Sequence, residues 1–475
     1  MSSILGDFAN AVARHPDRTA IVDGKGRETT FAQLKTRADH LANAWYARGI
    51  RPGDRVLLAM TLNADLYASL AALWTLGATV VLPEPAMGLA GLRHAARVSQ
   101  ATAFCSSGMY GMLKIALPEL WSLRHLRPHG PVGGLPDLAP PSENDIALIS
   151  FTSGTSGAPK AIPRSHGFMT AQHHAIAPLL CSAVAERDLV AFPVFVLINI
   201  ANGQTSVLPN WKMTRLAQLR PSQLENWLTQ NEITRALLPP ALCEKLIKTR
   251  MPQSFHRVFT GGGPVFPDIL AGLKSAKSDL EIVCVYGSTE AEPIAHLNAA
   301  EITSTDHIKM ENGHGLLVGT PVRNISVRIA DNEILVAGAH VNGGYLNAEH
   351  DVENKIPDGS VIWHRTGDAG YIDDLKRLWL LGRLGSQVET TDGPLYPFSA
   401  EVAARQWQGV TQCALMTTDQ GACLAVEGDT KYVETWRTQA SRLNIPRIIP
   451  VARIPMDKRH ASKVDRSALA KIVNF

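Results

Sequence analysis

Between Thr30 and Gly49 the apolar side chains fall at Phe31, Leu34, Ala38, Leu41 and Trp45, the spacing of one face of a helix. Thr30 followed by Gln33 predicts a capping box at its start, and Gly49 predicts its stop. Pro52-Gly53-Asp54 then turns the chain into the apolar run Arg55–Met60, and a second helical stretch leads through Gly77 into Ala78–Leu82. Strand, helix, strand predicts a parallel α/β sheet. Asp145–Phe151 and Val283–Tyr286 read as further buried strands, with α/β alternation continuing to about residue 300. Beyond it lie short β-like runs, Ile325–Ile329 and Glu333–Ala337, separated by glycines, which predict a smaller β-rich subdomain. The Pro/Gly-rich stretch from Arg127 to Asp145 suits no regular element and is expected to cross between subdomains.

Size adds a second domain to this picture, because 475 residues exceed the roughly 250–300 at which single cores stop growing. Charge removes some partners: 46 basic against 43 acidic side chains leave a net +3, which does not point to nucleic acid. The 16 histidines show no recognised zinc spacing, and the six cysteines show no CxxC, so a metal ribbon and a disulfide framework are both disfavoured. A reducing, cytoplasmic setting fits. The longest uncharged stretch, Leu66–Leu82, contains Ser69, Thr75, Gly77 and Thr79 and divides into helix and strand, so no membrane span is expected. Asp7 interrupts the N-terminal amphipathic segment, unlike the unbroken apolar core of a signal peptide.

Three segments hold residues suited to nucleotide chemistry. Phe151–Lys160 reads FTSGTSGAPK, a loop after a buried strand. In it Gly154 and Gly157 allow close backbone approach, Thr152, Ser153, Thr155 and Ser156 add hydroxyl donors, and Lys160 adds a point charge, as a polyphosphate requires. Its glycine spacing is not that of Walker A. Tyr286-Gly287-Ser288-Thr289-Glu290 places a flat ring, a hydroxyl for a phosphoryl oxygen and a carboxylate for a hard cation after a second strand. Thr366-Gly367-Asp368 sets a carboxylate behind a glycine turn, suited to the two hydroxyls of a ribose, and Arg383 is expected at the same sugar. Each is commonplace in isolation.

In order and spacing these segments resemble the adenylate-forming superfamily of acyl-CoA synthetases, luciferases and nonribosomal peptide adenylation domains. The resemblance spans nearly the whole chain and includes FTSGTSGAPK, Phe192–Phe195, Gly261-Gly262-Gly263-Pro264, YGSTE, EILVAGAHVNGGY, HRTGD, LGR and Lys463. It implies a fold: a large N-terminal domain (1–382) of two α/β subdomains and a β-rich one, then a small mobile α+β C-terminal domain (383–475). It also implies an activity, the ATP- and Mg²⁺-dependent conversion of a carboxylic acid to an acyl-adenylate with release of pyrophosphate. By the same resemblance the loop Thr152–Lys160 holds pyrophosphate, Thr289 the phosphates, Glu290 the Mg²⁺, Tyr286 the adenine and Asp368 the ribose, while Lys463 is the adenylation lysine. Gly262, Gly287, Ser288 and Arg383 complete the nucleotide set.

The departures from the family pattern concern the acceptor. Ala161 replaces the glycine that usually follows the loop lysine, and Val196 stands where many relatives carry a gating histidine. After Arg383 the chain reads Leu384-Gly385-Ser386-Gln387, without the lysine and acidic residue usual in CoA ligases. The segments WHRTGDAGYIDDLKRLW, VETTDGPLYP and PMDKRHASKVDR are similar to a narrower branch that includes olefin-pathway β-lactone synthetases. Leu197 joins Phe192 and Phe195 as an expected lining of an apolar acyl pocket. A fatty or β-hydroxy fatty acid is therefore the expected substrate. CoA, an acyl carrier or the substrate's own hydroxyl stand as acceptors, and a nucleotide-binding protein without turnover is the alternative from another class.

Overall fold

The computed structural model describes residues 3–83, 87–129, 138–152, 159–390, 393–456 and 463–473. The first helix predicted from spacing spans Phe31–Ala47, with Thr30 Oγ1 accepting from Gln33 N at 3.2 Å and Gln33 Oε1 accepting from Thr30 N at 3.0 Å. Its predicted apolar face, Phe31, Leu34, Ala38, Leu41 and Trp45, is buried. Strands Arg55–Ala59 and Thr79–Val81 pair in parallel across the helix Ala64–Thr75, as strand, helix, strand requires.

These strands sit in a six-stranded sheet ordered Arg124–Leu126, Ala103–Ser106, Arg55–Ala59, Thr79–Val81, Ile146–Thr152, Lys160–Ser165. The expectation that Arg127–Asp145 crosses between subdomains is corrected here. The strands on either side of it belong to this one sheet, at its edge and in its interior. Trp45 Nε1 fastens its start by donating to Arg127 O at 3.0 Å.

A fourteen-stranded sheet forms the second body among the described residues. Its parallel part runs from Thr19–Val22 through Thr205–Val207, Arg187–Val190, Arg235–Leu238 and Arg257–Gly261 to Glu281–Ser288. The β-rich runs seen in the sequence, Ile325–Ala330 and Glu333–Gly338, continue the same sheet through Ala291–Asn298, Leu316–Pro321, Leu378–Arg383 and Val361–Ile372. Register shifts at Tyr286/Ser288, Leu317/Gly319 and Ala369/Gly370 curl this antiparallel half. Gly319 shows why the curl needs glycine: its φ is +94°, and a Cβ there would collide with His296 O.

Under the parallel strands lies a fully buried ion pair. Arg235 Nε and Nη2 each donate to Asp188 at 2.8 Å, and Asn199 Nδ2 adds a bond to Asp188 Oδ2 at 3.0 Å. Arg235 Nη1 donates to Leu180 O at 2.9 Å, so helix His166–Leu180 is tied to the sheet by the same side chain. Another histidine of that helix, His173, faces Asp7 of the N-terminal helix Ile4–Arg14 at 3.2 Å.

The small C-terminal domain packs helices Pro397–Ala404 and Val433–Arg442 on a three-stranded sheet, Val410–Thr418, Gly421–Gly428 and Ile448–Pro450. It has its own core around Trp407, Leu415, Leu424 and Trp436. Arg405 joins it to the large domain, donating to Asp268 Oδ2 at 2.6 Å with its guanidinium 4.8 Å from the Phe266 ring centroid. All six cysteines are free thiols, and no described helix is long and apolar enough to cross a membrane.

The buried pair supplies a stability test. Arg235→Met is expected to cost about 3–5 kcal/mol in urea unfolding, because Asp188 stays buried without its counter-charge. A loss under about 1 kcal/mol would show that Asp188 is relieved in another way.

Candidate active site

Thr152 and Lys160 face each other in register at the ends of the hairpin strands Ile146–Thr152 and Lys160–Ser165, so the polar loop is closed at its base by strand pairing. Its members Ser153, Gly154, Thr155, Ser156 and Gly157 lie outside the described residues. Thr152 is buried. On the far side, Lys160 Nζ donates to Asn354 Oδ1 at 3.2 Å and stands 5.4 Å from the Tyr345 ring centroid.

The second segment is a hairpin tip, where the sequence suggested a strand ending in a loop. Strand Glu281–Ser288 turns at Thr289 and Glu290 into strand Ala291–Asn298, and Ser288 pairs with Ala291. Gly287 occupies the bulge because a side chain there would press Ala291 O at 2.8 Å and Glu292 Cα at 3.1 Å. The tip is held from both sides: Arg164 Nη2 donates to Thr289 O at 2.6 Å, and Asn342 N donates to Glu290 O at 2.7 Å. Tyr345 Oη donates to Glu290 Oε1 at 3.1 Å.

Asp368 lies within the strand Val361–Ile372, not behind a free turn as its Thr-Gly-Asp context suggested. Gly367 supplies a kink at φ +69° inside that strand, and Glu333 Oε1 accepts from Gly367 N at 2.9 Å. Asp368 is in register with Arg383, whose Nη1 donates to Asp368 Oδ1 at 3.0 Å and to Thr366 O at 2.6 Å. Tyr286 Oη donates to Asp368 Oδ2 at 2.7 Å. Burial, reinforced by the Asp368 charge, pushes the Tyr286 phenol far above its ordinary value, so it stays a donor. A carboxylate has about four lone-pair sites, so two bonds leave capacity for a diol.

Beside this cluster lies a narrow apolar cleft, partly open to solvent. Ile176, Phe192, Phe195, Leu237, Gly262 and Glu292 are among its walls. The Phe192 and Phe195 rings stand 5.9 Å apart, and Gly262, at φ +75°, brings its backbone against the Phe192 ring. Leu197 and Val196 are not on these walls. Both turn from the helix Pro193–Ala201 into the hydrophobic core, Val196 fully buried and Leu197 9 % exposed.

The structure thus joins Tyr286, Asp368 and Arg383 directly and brings both Lys160 and Glu290 to Tyr345. Lys463 is exposed on the C-terminal domain, next to the Met456–Val464 bridge and before the helix Arg466–Val473. Sequence reasoning missed Lys355, His364 and Arg164. Lys355 is buried, donating to Asn342 O and lying 3.3 Å from His364 Nδ1. Burial lowers Lys355 to about 8, while burial and then the neighbouring Lys355 charge lower His364 to about 4. Nothing in Glu-Asn-Lys-Ile-Pro-Asp-Gly distinguishes Lys355 from a solvated turn lysine. His364, by contrast, directly precedes the Arg-Thr-Gly-Asp run.

A family model described as AMP-binding enzyme matches residues 8–346. Olefin beta-lactone synthetase from Stenotrophomonas maltophilia is 30% identical, over 93% of this chain and 90% of that protein. The Xanthomonas campestris pv. campestris enzyme of the same name is 26% identical, over 99% of this chain and 97% of its own length. Among solved structures, the anthranilate CoA ligase AuaEII in complex with anthranoyl-AMP superposes with a TM-score of 0.82 at 17% identity, over 100% of this chain and 97% of that one, a likeness of fold. The chain belongs to the AMP-binding enzymes and is an adenylate-forming ligase, which uses ATP to convert a carboxylic acid to an acyl-adenylate.

Proposed function

We propose that the acid is apolar and carries a β-hydroxyl, and that the enzyme closes its adenylate to a β-lactone. The likeness to olefin beta-lactone synthetase over 93% of the chain carries this reading. The apolar cavity that meets the nucleotide cluster at Gly262 supports an apolar acyl chain. Residues 1–382 form the adenylation domain and 383–475 the mobile one.

In this reading the loop from Thr152 to Lys160 holds the pyrophosphate, Thr289 and Ser288 the phosphates, Tyr286 the adenine face, and Asp368 with Arg383 the ribose. Glu290, Thr289 and Ser288 are hard oxygen donors at one hairpin tip, with the Glu290 carboxylate oriented by Tyr345, and this set suits Mg²⁺. When bound, Mg²⁺ supplies positive charge to the phosphate oxygens.

A carboxylate oxygen of the acid bonds to the α-phosphorus as the bond to the bridging oxygen breaks, and pyrophosphate leaves. The Lys463 ammonium meets the negative charge that builds on the α-phosphate and bridging oxygen, so it favours the transition state over the ground state. The β-hydroxyl oxygen then bonds to the acyl carbon as the carbon–oxygen bond to AMP breaks, its proton passing to the released phosphate. An internal nucleophile has a high effective molarity. That removes the need for a thiol and fits the Leu384-Gly385-Ser386-Gln387 segment after Arg383.

Acid-dependent exchange of pyrophosphate into ATP is expected, reduced about a hundredfold or more by Lys463→Ala. Parental exchange in that variant would sink the role of Lys463. Asp368→Asn is expected to raise KM for ATP about tenfold or more, with KM for the acid unchanged. For the acceptor, fatty and 3-hydroxy acids incubated with ATP, with and without CoA, are weighed by mass spectrometry. Loss of water from the 3-hydroxy acid without CoA is the expected result, and a CoA thioester overturns the lactone.

A further inference from the structure

Glu290 is gripped twice by the short segment 342–345, at its backbone carbonyl by Asn342 N and at its carboxylate by Tyr345 Oη. The backbone of that segment is anchored by Tyr345 N donating to Asp351 Oδ1 at 2.8 Å and Leu346 N donating to Ala161 O at 3.0 Å, and a lysine adds a third hold. The Lys355 ammonium donates to Asn342 O, on the same residue whose N–H holds Glu290, and lies 5.3 Å from the ring centroid of Tyr345. Register fixes Lys355 opposite His364, with Nζ 3.3 Å from His364 Nδ1. The preceding residue, Asn354, accepts from Lys160 across the same ring. Glu290, Asp351 and His364 are the other charged or titratable groups that act on the ammonium.

Packing does not explain this side chain. A buried ammonium is costly to desolvate, and methionine of similar length would fill the space without that cost. Its value must lie in what the charge and the donors hold. Losing a group that orients a metal-binding carboxylate typically costs about 10–100-fold in metal affinity or activity.

We propose that Lys355 is a positioning residue for adenylation: its buried ammonium fixes Asn342 and Tyr345, and through them sets the Glu290 carboxylate for the magnesium–nucleotide complex. This rests on the reading of Glu290 as the Mg²⁺ ligand. Lys355 acts through Asn342 O and the Tyr345 ring. Its loss therefore weakens divalent-ion binding and leaves recognition of the acid in place.

The test is Mn²⁺ binding to the full-length protein at pH 7 with α,β-methylene-ATP, read by electron paramagnetic resonance, beside the Mg²⁺ dependence of pyrophosphate exchange. Lys355→Met, Lys355→Arg, Tyr345→Phe and Glu290→Gln are compared with the parent. Lys355→Met is expected to weaken Mn²⁺ and raise half-saturating Mg²⁺ about tenfold, with KM for the acid within about twofold. Tyr345→Phe shifts both the same way and carries the test if Lys355→Met does not fold. Lys355→Arg, keeping charge and donors, lies closer to the parent. Parental Mn²⁺ affinity in Lys355→Met, or in Tyr345→Phe if Lys355→Met does not fold, with Glu290→Gln weakened, overturns the inference alone. Parental affinity in Glu290→Gln overturns the ligand reading and the inference with it.

Discussion

The hydrogen bond of 2.7 Å between Tyr286 and Asp368 is the contact around which the polar cluster of Tyr286, Asp368 and Arg383 is organised. Their strands are four apart in the sheet order, and at about 4.8 Å per strand a flat sheet would separate them by roughly 19 Å. Only a curled sheet brings a phenol and a carboxylate together across that span. Bulges at Tyr286/Ser288, Leu317/Gly319 and Ala369/Gly370 provide the curl, and Gly319 permits an approach that any side chain would block.

That curvature also arranges charge. Arg383 donates to one oxygen of Asp368 while Tyr286 donates to the other, so the carboxylate is held in one orientation in a partly buried setting. Glu290 has a parallel arrangement on the other side of the hairpin, with Tyr345 as the phenol and Lys355 as the cation behind it. Two carboxylates are thus each steadied by a tyrosine and a base, and the apolar cavity opens between Gly262 and the Phe192 and Phe195 rings. The polar cluster and the apolar cleft adjoin where Val285, a wall of the cleft, precedes Tyr286.

Local signals in the sequence carried far. The capping box at Thr30 and Gln33 involves residues three apart, so nothing distant could override it, and the parallel strands at Arg55 and Thr79 followed from their alternation with a helix. Where an expectation failed, the deciding contact was distant. The Arg127–Asp145 stretch reads as a linker whichever sheet receives the next strand, and a Thr-Gly-Asp triplet reads as a turn unless a partner such as Glu333 draws it into a strand. Leu197 is as apolar as Phe195, but helical rotation sends only Phe195 to the cavity.

The sequence by itself determined the α/β class, the order of the chemistry-bearing segments and the identity of their hydroxyls, carboxylates and lysines, because these are written in residues close together along the chain. The tertiary structure alone decided which of them meet. Tyr286 and Asp368 are 82 residues apart, and Lys160 and Asn354 are 194 apart, separations over which no local pattern reports contact. It also decided that Lys355, a turn lysine by its neighbours, is a buried ammonium beneath the Glu290 hairpin, since burial depends on every strand that closes over a residue.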